Sequence, residues 1–383
     1  MSFYFKIGGY LRMKNISVLD YYPMIHKDKL LYHYGKDIIR IGTDDNDVVE
    51  IKNNQHNLFS ILKDLNGQFT IRDILTRHPN TSLNQLSLII TKLAHANTLS
   101  VLCNPFDLLS KNERFKSDLT YYLSEGFNGV KILNTLFNLK VTIFGSGGGG
   151  SIIALQLANL GIKNIHLIDP DKIDTSNLNR QFMFNTTDIG KFKVNVVKKF
   201  ILARHSDANI TTSIKRITTT ADAIKEIQDS NWVFCCIDEP PYISQRIINR
   251  ASYIKNVPSV YGFSSRDAAK LLIVYPNNTG CVDCLLTSED TTEFQKLILN
   301  FQRSNFSPTT PIVIPNIMLE TSWIVKKWLD QVIKERPTGN VLYRFDYNTL
   351  NEQRFITFTQ QKNCPTCGTK RNESKLWKII PIQ

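Results

Sequence analysis

Nowhere do about 18 apolar residues follow one another in this 383-residue chain, so no segment has the length and apolarity of a membrane-spanning helix. The opening stretch MSFYFKIGGYLRMKN interrupts its apolar residues too often for a signal peptide. A soluble, cytoplasmic protein without a membrane partner is expected. A basic block is missing too: 46 Lys and Arg against 34 Asp and Glu give a formal charge of +12, but the cations are scattered among Asn and Ile. The scatter argues for a generally basic protein or one that handles anionic ligands, and against a nucleic-acid partner. Internal repeats, low-complexity tracts and a Ser-His-Asp pattern for nucleophilic catalysis are also absent.

Cysteine is scarce, seven in all, yet four of the seven form two C-x-x-C pairs, Cys281/Cys284 and Cys364/Cys367. In a cytosolic chain this pattern favours a metal over disulfides. Four thiolates in two hairpin-like knuckles suit a closed tetrahedral zinc site. Cys284 and Cys364 are 80 positions apart, so the metal would tie a mid-chain segment to the C-terminal tail. A redox C-x-x-C is the competing reading. Cys103, Cys235 and Cys236 stand in apolar surroundings.

Two domains are expected, residues 1–110 and 111–383. In the first, KLLYHYGKDIIRIGTDDNDVVEI alternates apolar and polar residues around a TDDND turn, the mark of short antiparallel strands. Two helical patterns broken at Asn66-Gly67 follow, and a third, LNQLSLIITKLAHA, enters a final strand. This order predicts a winged-helix-like module. A polar, aromatic helical connector from Lys111 leads to KVTIFG, and then NIHLID, NWVFCCID and VPSVYGF alternate with helical stretches while AKLLIVYP extends the sheet. The expected class is α/β, a doubly wound, mostly parallel Rossmann-like sheet. LLTSEDTTEFQKLILNFQRSNFSPTTP reads as a long crossing segment without strand character, before a helix near 317–333 and a β-rich tail.

Gly145, Gly147 and Gly150 fit G-x-G-x-x-G between a strand and a helix, where glycine lets the backbone approach phosphates at the helix N-terminus. Asp169 closes the next strand, 19 residues after Gly150, placed for ribose hydroxyls. A hydride-transfer enzyme has no evident need for the segment that comes next, DKIDTSNLNRQFMFNTTDIGKFKVN. Its Asn177, Arg180, Gln181 and Lys193 offer the amides and cations that grip a triphosphate. Asp238, at the end of NWVFCCID, is placed to hold magnesium. ATP fits this set better than NAD, and CTP fits the same cradle.

GSGGGGS, LIDPDKIDTSNLNRQ, DIGKFK and CCID together resemble the adenylating domain of the ThiF/MoeB/HesA superfamily, relatives of the ubiquitin-activating enzymes, over roughly residues 115–368. The resemblance implies an enzyme whose substrate carboxylate attacks the ATP α-phosphate and releases pyrophosphate. It implies ribose on Asp169, phosphates among Asn177, Arg180, Gln181 and Lys193, magnesium on Asp238, and structural zinc on the four cysteines. A carboxylate is already ionised at neutral pH, so positioning and charge neutralisation suffice without a catalytic dyad. Family members often carry two arginines before the glycine-loop strand; ERFKSD supplies Arg114 but Ser117 in the later place, with Lys116 as the alternative cation. No cysteine occurs between Leu285 and Asn363, where thioester-forming relatives place theirs, so transfer to an enzyme thiol is not expected. A homodimer is expected.

The front module resembles the peptide-recognition domains attached to enzymes that modify ribosomally made peptides. Such modules take a leader peptide as an added strand, here beside DIIRI or DVVEI. The whole plan is most similar to the microcin C and pantocin A branches of the superfamily, in antibiotic biosynthesis. They differ in outcome, a peptide joined to nucleotide or a peptide cyclised on an activated glutamate. The precursor peptide is the expected partner. A nucleotide-sensing DNA-binding protein and an enzyme adenylating a sulfur-carrier protein are the alternatives.

Overall fold

The computed structural model describes residues 17–43, 48–53, 57–303, 311–335, 338–369 and 375–382, with the side chains of 301–303 excluded. The N-terminal stretch, most of the TDDND turn and the end of the crossing segment, SNFSPTT, lie outside them. No helix among the described residues is long and apolar enough to cross a membrane. The chain divides into two compact units, 1–135 and 136–383.

The first unit holds strands β1 (Tyr22–Ile25), β2 (Leu31–Tyr34), β3 (Ile38–Ile41), β4 (Val49–Lys52) and β5 (Leu99–Leu102). Helices α1 (Leu58–Asp64), α2 (Ile71–Arg77) and α3 (Leu83–His95) intervene before β5. Capping boxes start two of them: Thr70 with Asp73 opens α2, and Ser82 with Gln85 opens α3. Gly67, at φ +79°, makes the break between α1 and α2. Ile39, Ile41, Ile61, Leu62, Ile74, Leu86 and Ile90 pack into one core. β5 pairs antiparallel with β1, while β2, β3 and β4 form a separate antiparallel sheet in that order. One expectation is corrected here. DIIRI is the central strand, with its backbone paired on both sides, so no peptide can be added to it. DVVEI supplies β4, which pairs on one side only among the described residues. Short helices α4 (Phe106–Leu109) and α5 (Lys116–Ser124) follow, and α6 (Gly129–Asn138) runs through the division between the units.

The second unit is built on eight strands: β6 (Lys140–Phe144), β7 (Asn164–Ile168), β8 (Asn209–Ser213), β9 (Trp232–Cys235), β10 (Ser259–Ser264), β11 (Ala268–Val274), β12 (Val341–Asp346) and β13 (Glu352–Thr357). Their order is β13-β12-β11-β10-β9-β6-β7-β8. β8, β7, β6, β9 and β10 are parallel, and β11 to β13 add on antiparallel. The order reverses between β6 and β9, the switch point where such sheets bind ligands beyond the strand carboxyl ends.

Alternate residues of β9 face opposite layers. Phe234 meets Trp328 edge-on at 5.6 Å, on α13 (Ile314–Lys334), whereas Cys235 joins the core under α9 (Thr220–Ile227) and α10 (Ile243–Lys255). Helices α7 (Gly148–Asn159) and α8 (Lys193–Leu202) complete the first of these layers, α7 packing against both α8 and α13. The crossing segment is helical, α11 (Val282–Ser288) and α12 (Thr292–Arg303), because its apolar residues recur at helical spacing and Ile298 is buried. A last short helix, α14 (Lys375–Ile379), buries Leu376 and Ile379.

Candidate functional site

The loop after β6 is shaped by steric necessity. Gly145 sits at φ +98°, and a Cβ on it would stand 2.5 Å from the Cys236 carbonyl oxygen across the switch point. A Cβ on Gly150 would stand 1.9 Å from the Gly145 carbonyl oxygen, which closes the turn onto the helix. Gly147 differs, since the nearest atom to its missing Cβ is Gln181 Nε2 at 3.6 Å. It caps α7 without a side-chain hydrogen bond, leaving the first helical N–H groups for an anion.

Asp169 is buried at the end of β7, its Oδ2 accepting from Ser146 N at 2.6 Å and its Oδ1 from Asp171 N at 2.8 Å. It therefore locks the glycine loop to β7, and each oxygen keeps a lone pair for a sugar hydroxyl. Burial pushes its carboxyl up, against the pull of the two backbone donors and of Lys193.

Asn177 and Gln181 come from one compact turn. Asn177 Oδ1 accepts from Asp174 N at 3.1 Å, and Gln181 N donates to Asn177 O at 2.9 Å. Among the described residues, the Gln181 Oε1 and Ser146 Oγ atoms are buried without a hydrogen-bond partner. Two orphaned polar atoms flanking the glycine loop fit a polar ligand that completes their bonding. Lys193 begins α8, buried, with Nζ 3.0 Å from Asp171 Oδ2. Arg180 donates to the Ser176 carbonyl and, at 3.1 Å, to Asn179 Oδ1. Asp238 is exposed just past β9. Gly145, Gly147, Gly150, Asp169, Gln181 and Lys193 are thus brought to one end of the sheet. Arg114 and Lys116 belong to the first unit, Arg114 over the Phe115 ring and Lys116 3.6 Å from Glu113. Asp171, the ion-pair partner of Lys193, was missed from the sequence although it stands two residues beyond Asp169.

Cys281, Cys284, Cys364 and Cys367 are all buried, and their sulfurs lie within 4.8 Å of one another. Separations of 3.5 Å (Cys281–Cys364) and 3.3 Å (Cys284–Cys367) bracket, with that upper bound, the ~3.8 Å edge of a zinc–thiolate tetrahedron with 2.3 Å bonds. Backbone N–H groups of Gln361, Thr366 and Cys367 point at sulfurs from 3.3–3.4 Å, compensating thiolate charge. The residues fit structural zinc. Sequence reasoning also missed Asp283, inside the first knuckle. It pairs with buried Arg246 of α10 at 2.8 Å and accepts from Thr366 Oγ1 at 2.7 Å, while Arg246 reaches the Ile380 carbonyl. This pair fastens both knuckles to α10.

The model of the ThiF family matches residues 122–366. Among curated proteins, the Nedd8-activating enzyme E1 catalytic subunit of Drosophila melanogaster is 31% identical over 38% of this chain and 35% of its own length. The adenylyltransferase and sulfurtransferase UBA4 of Meyerozyma guilliermondii is 29% identical over 38% and 34%. The chain thus spans about a third of these relatives. Among solved structures, E. coli MccB with AMPCPP and MccA matches at TM-score 0.71 and 21% identity, over 90% of this chain and 99% of that one. PaaA matches at TM-score 0.66 and 18% identity, over 87% and 99%. At these identities the likeness is one of fold.

Proposed function

The chain belongs to the ThiF family, and on that footing we propose that it is an ATP-dependent adenylating enzyme acting on a carboxylate of a ribosomally made precursor peptide. The observation that carries the nucleotide half is the open N-terminus of α7 at the switch point, flanked by Asp169, Gln181 and Lys193. The peptide half is supported by the small β module with β4 at its edge. It is supported also by structural neighbours described as MccB with MccA and as the microcin C7 biosynthetic enzyme MccB with N-formylated MccA. In this reading β4 takes the leader as an added strand, and the modified peptide is an antibiotic.

In the reaction, a peptide carboxylate oxygen forms a bond to the α-phosphorus, the bond from that phosphorus to the bridging oxygen breaks, and pyrophosphate leaves. Glycine-loop N–H groups meet the phosphates, Asp169 accepts from the ribose, and the Gln181 side-chain amide donates to a phosphate oxygen. Lys193 turns from Asp171 toward the phosphate charge, and Arg180 adds a second cation. Asp238 would hold magnesium, which when bound neutralises phosphate charge.

The test is exchange of labelled pyrophosphate into ATP in the presence of the synthetic peptide encoded beside this gene. Exchange that depends on the peptide is expected; no exchange would remove the adenylating assignment. Lys193→Ala and Arg180→Ala should each lower that exchange by about 100-fold or more, the usual worth of a donor whose contact tightens in the transition state. Near-parental rates in both variants would sink the phosphate assignment.

A further inference from the structure

An activated acyl group must be passed on, and the second unit holds no thiol suited to receive it. Four of its cysteines form the buried cluster suited to zinc. Burial pushes the Cys235 thiol up to about 12 and the Cys236 thiol well up. The acceptor is then a nucleophile of the substrate, an N–H or O–H that must shed a proton as it attacks.

Glu320 is a buried carboxylate close to the glycine loop. It lies on the face of α13 that covers the site: Ile317, three residues earlier, would be 3.1 Å from a Cβ on Gly148, and Thr321 3.9 Å from one on Gly149. The carboxyl group is buried, only 8% exposed. Its Oε2 accepts from Ser264 Oγ, at the end of β10, and from Tyr347 OH at 3.3 Å. The other oxygen, Oε1, faces the bare side of Gly262, 3.6 Å from where a Cβ would stand. A buried carboxylate normally sits against a cation, yet among the described residues no lysine or arginine contributes to its charge balance. Ser264 and Tyr347 hydrogen-bond it, and the Cys236 thiol and the Asp238 carboxylate, beyond β9, lie within electrostatic reach. An uncompensated acid is costly to hold in a core, and such groups cluster where chemistry needs them.

We infer that Glu320 is the proton acceptor when the activated acyl group is captured. The inference rests on the acyl-adenylate reading above. In the step, the nucleophile forms a bond to the acyl carbon, the carbon–oxygen bond of the mixed anhydride breaks, AMP leaves with that electron pair, and the nucleophile's proton passes to the Glu320 carboxylate. Burial pushes this carboxyl up from its ordinary value against the hydrogen bonds from Ser264 and Tyr347, so it accepts a proton more readily than an exposed glutamate.

The assay uses the full chain with the synthetic peptide encoded beside its gene. Glu320→Gln should keep pyrophosphate exchange within about 3-fold of the parent and keep trapping of the acyl-adenylate by hydroxylamine, a nucleophile strong enough to need no base. Formation of the peptide product should fall by about 100-fold or more. Parental product formation, or exchange and product falling together, would overturn the assignment. No exchange in the parent would instead overturn adenylation itself, and Glu320's role with it. Ser264→Ala provides a second reading should Glu320→Gln not fold. Loss of that donor raises the carboxyl further, so the rising limb of the pH–rate profile for product formation should move to higher pH, and an unmoved limb would count against Glu320.

Discussion

Gly150→Ala is expected to weaken ATP binding by about 100-fold or more, the scale of loss when a reacting group is displaced by about an ångström. The methyl group would lie 1.9 Å from the Gly145 carbonyl oxygen and 2.8 Å from its carbon. Both are backbone atoms of the loop that carries the N–H groups, so relief can come only by opening the phosphate cradle. Gly149→Ala makes the control, because its new methyl would meet nothing closer than Thr321 Cγ2 at 3.9 Å. That variant should bind ATP nearly as the parent does and, as an alanine in a helix, lose no stability. Calorimetric titration with ATP compares the three proteins, and equal affinities for Gly150→Ala and the parent would mean that this loop does not hold phosphates.

Removing metal from the four-cysteine centre should have the largest effect on stability. Elemental analysis is expected to find about one zinc per chain, and a strong chelator should unfold the second unit at moderate temperature, since structural zinc contributes on the order of 10 kcal/mol. Four buried thiolates this close would repel one another, and a dication among them would neutralise more charge than the three backbone N–H groups that reach their sulfurs. Cys281→Ser should reproduce the chelated protein, with poor folding as its main defect. A thermal melt unchanged by chelation, or a well-folded Cys281→Ser protein that has lost only its chemistry, would rule out the structural assignment.

The parts of this molecule legible in its sequence are those written locally. Gly145 and Gly150, with apolar runs on either side, announce the βαβ unit because steric constraint and periodicity both act within about 30 residues. The C-x-x-C pairs announce a metal for the same reason. Other features depend on partners far along the chain: Ser264 meets Glu320 across 56 positions, and Arg246 meets Asp283 across 37. No local spacing marks either pair, and each charged residue looks like surface when read alone. Strand partnership was equally hidden, since alternation shows that DIIRI is a strand without showing that it has neighbours on both sides. Asp171 is a different kind of miss. It was visible in DPDK, but the role of holding Lys193 emerges only once the two backbones run side by side.

A metal held by the four cysteines would also act on the chain before it folds. Joining Cys281 to Cys364 closes a ring of 83 positions, and within it lie α11, α12, α13, β12 and β13. A cross-link of that span removes conformational freedom from the unfolded polymer, worth about 4.5 kcal/mol by the relation used for disulfide loops. Metal bound early would therefore shorten the search by which α13 finds α7 and β10, because the helix would be tethered at both ends. The site that never touches substrate would then set how quickly Glu320 comes to rest beside the crevice.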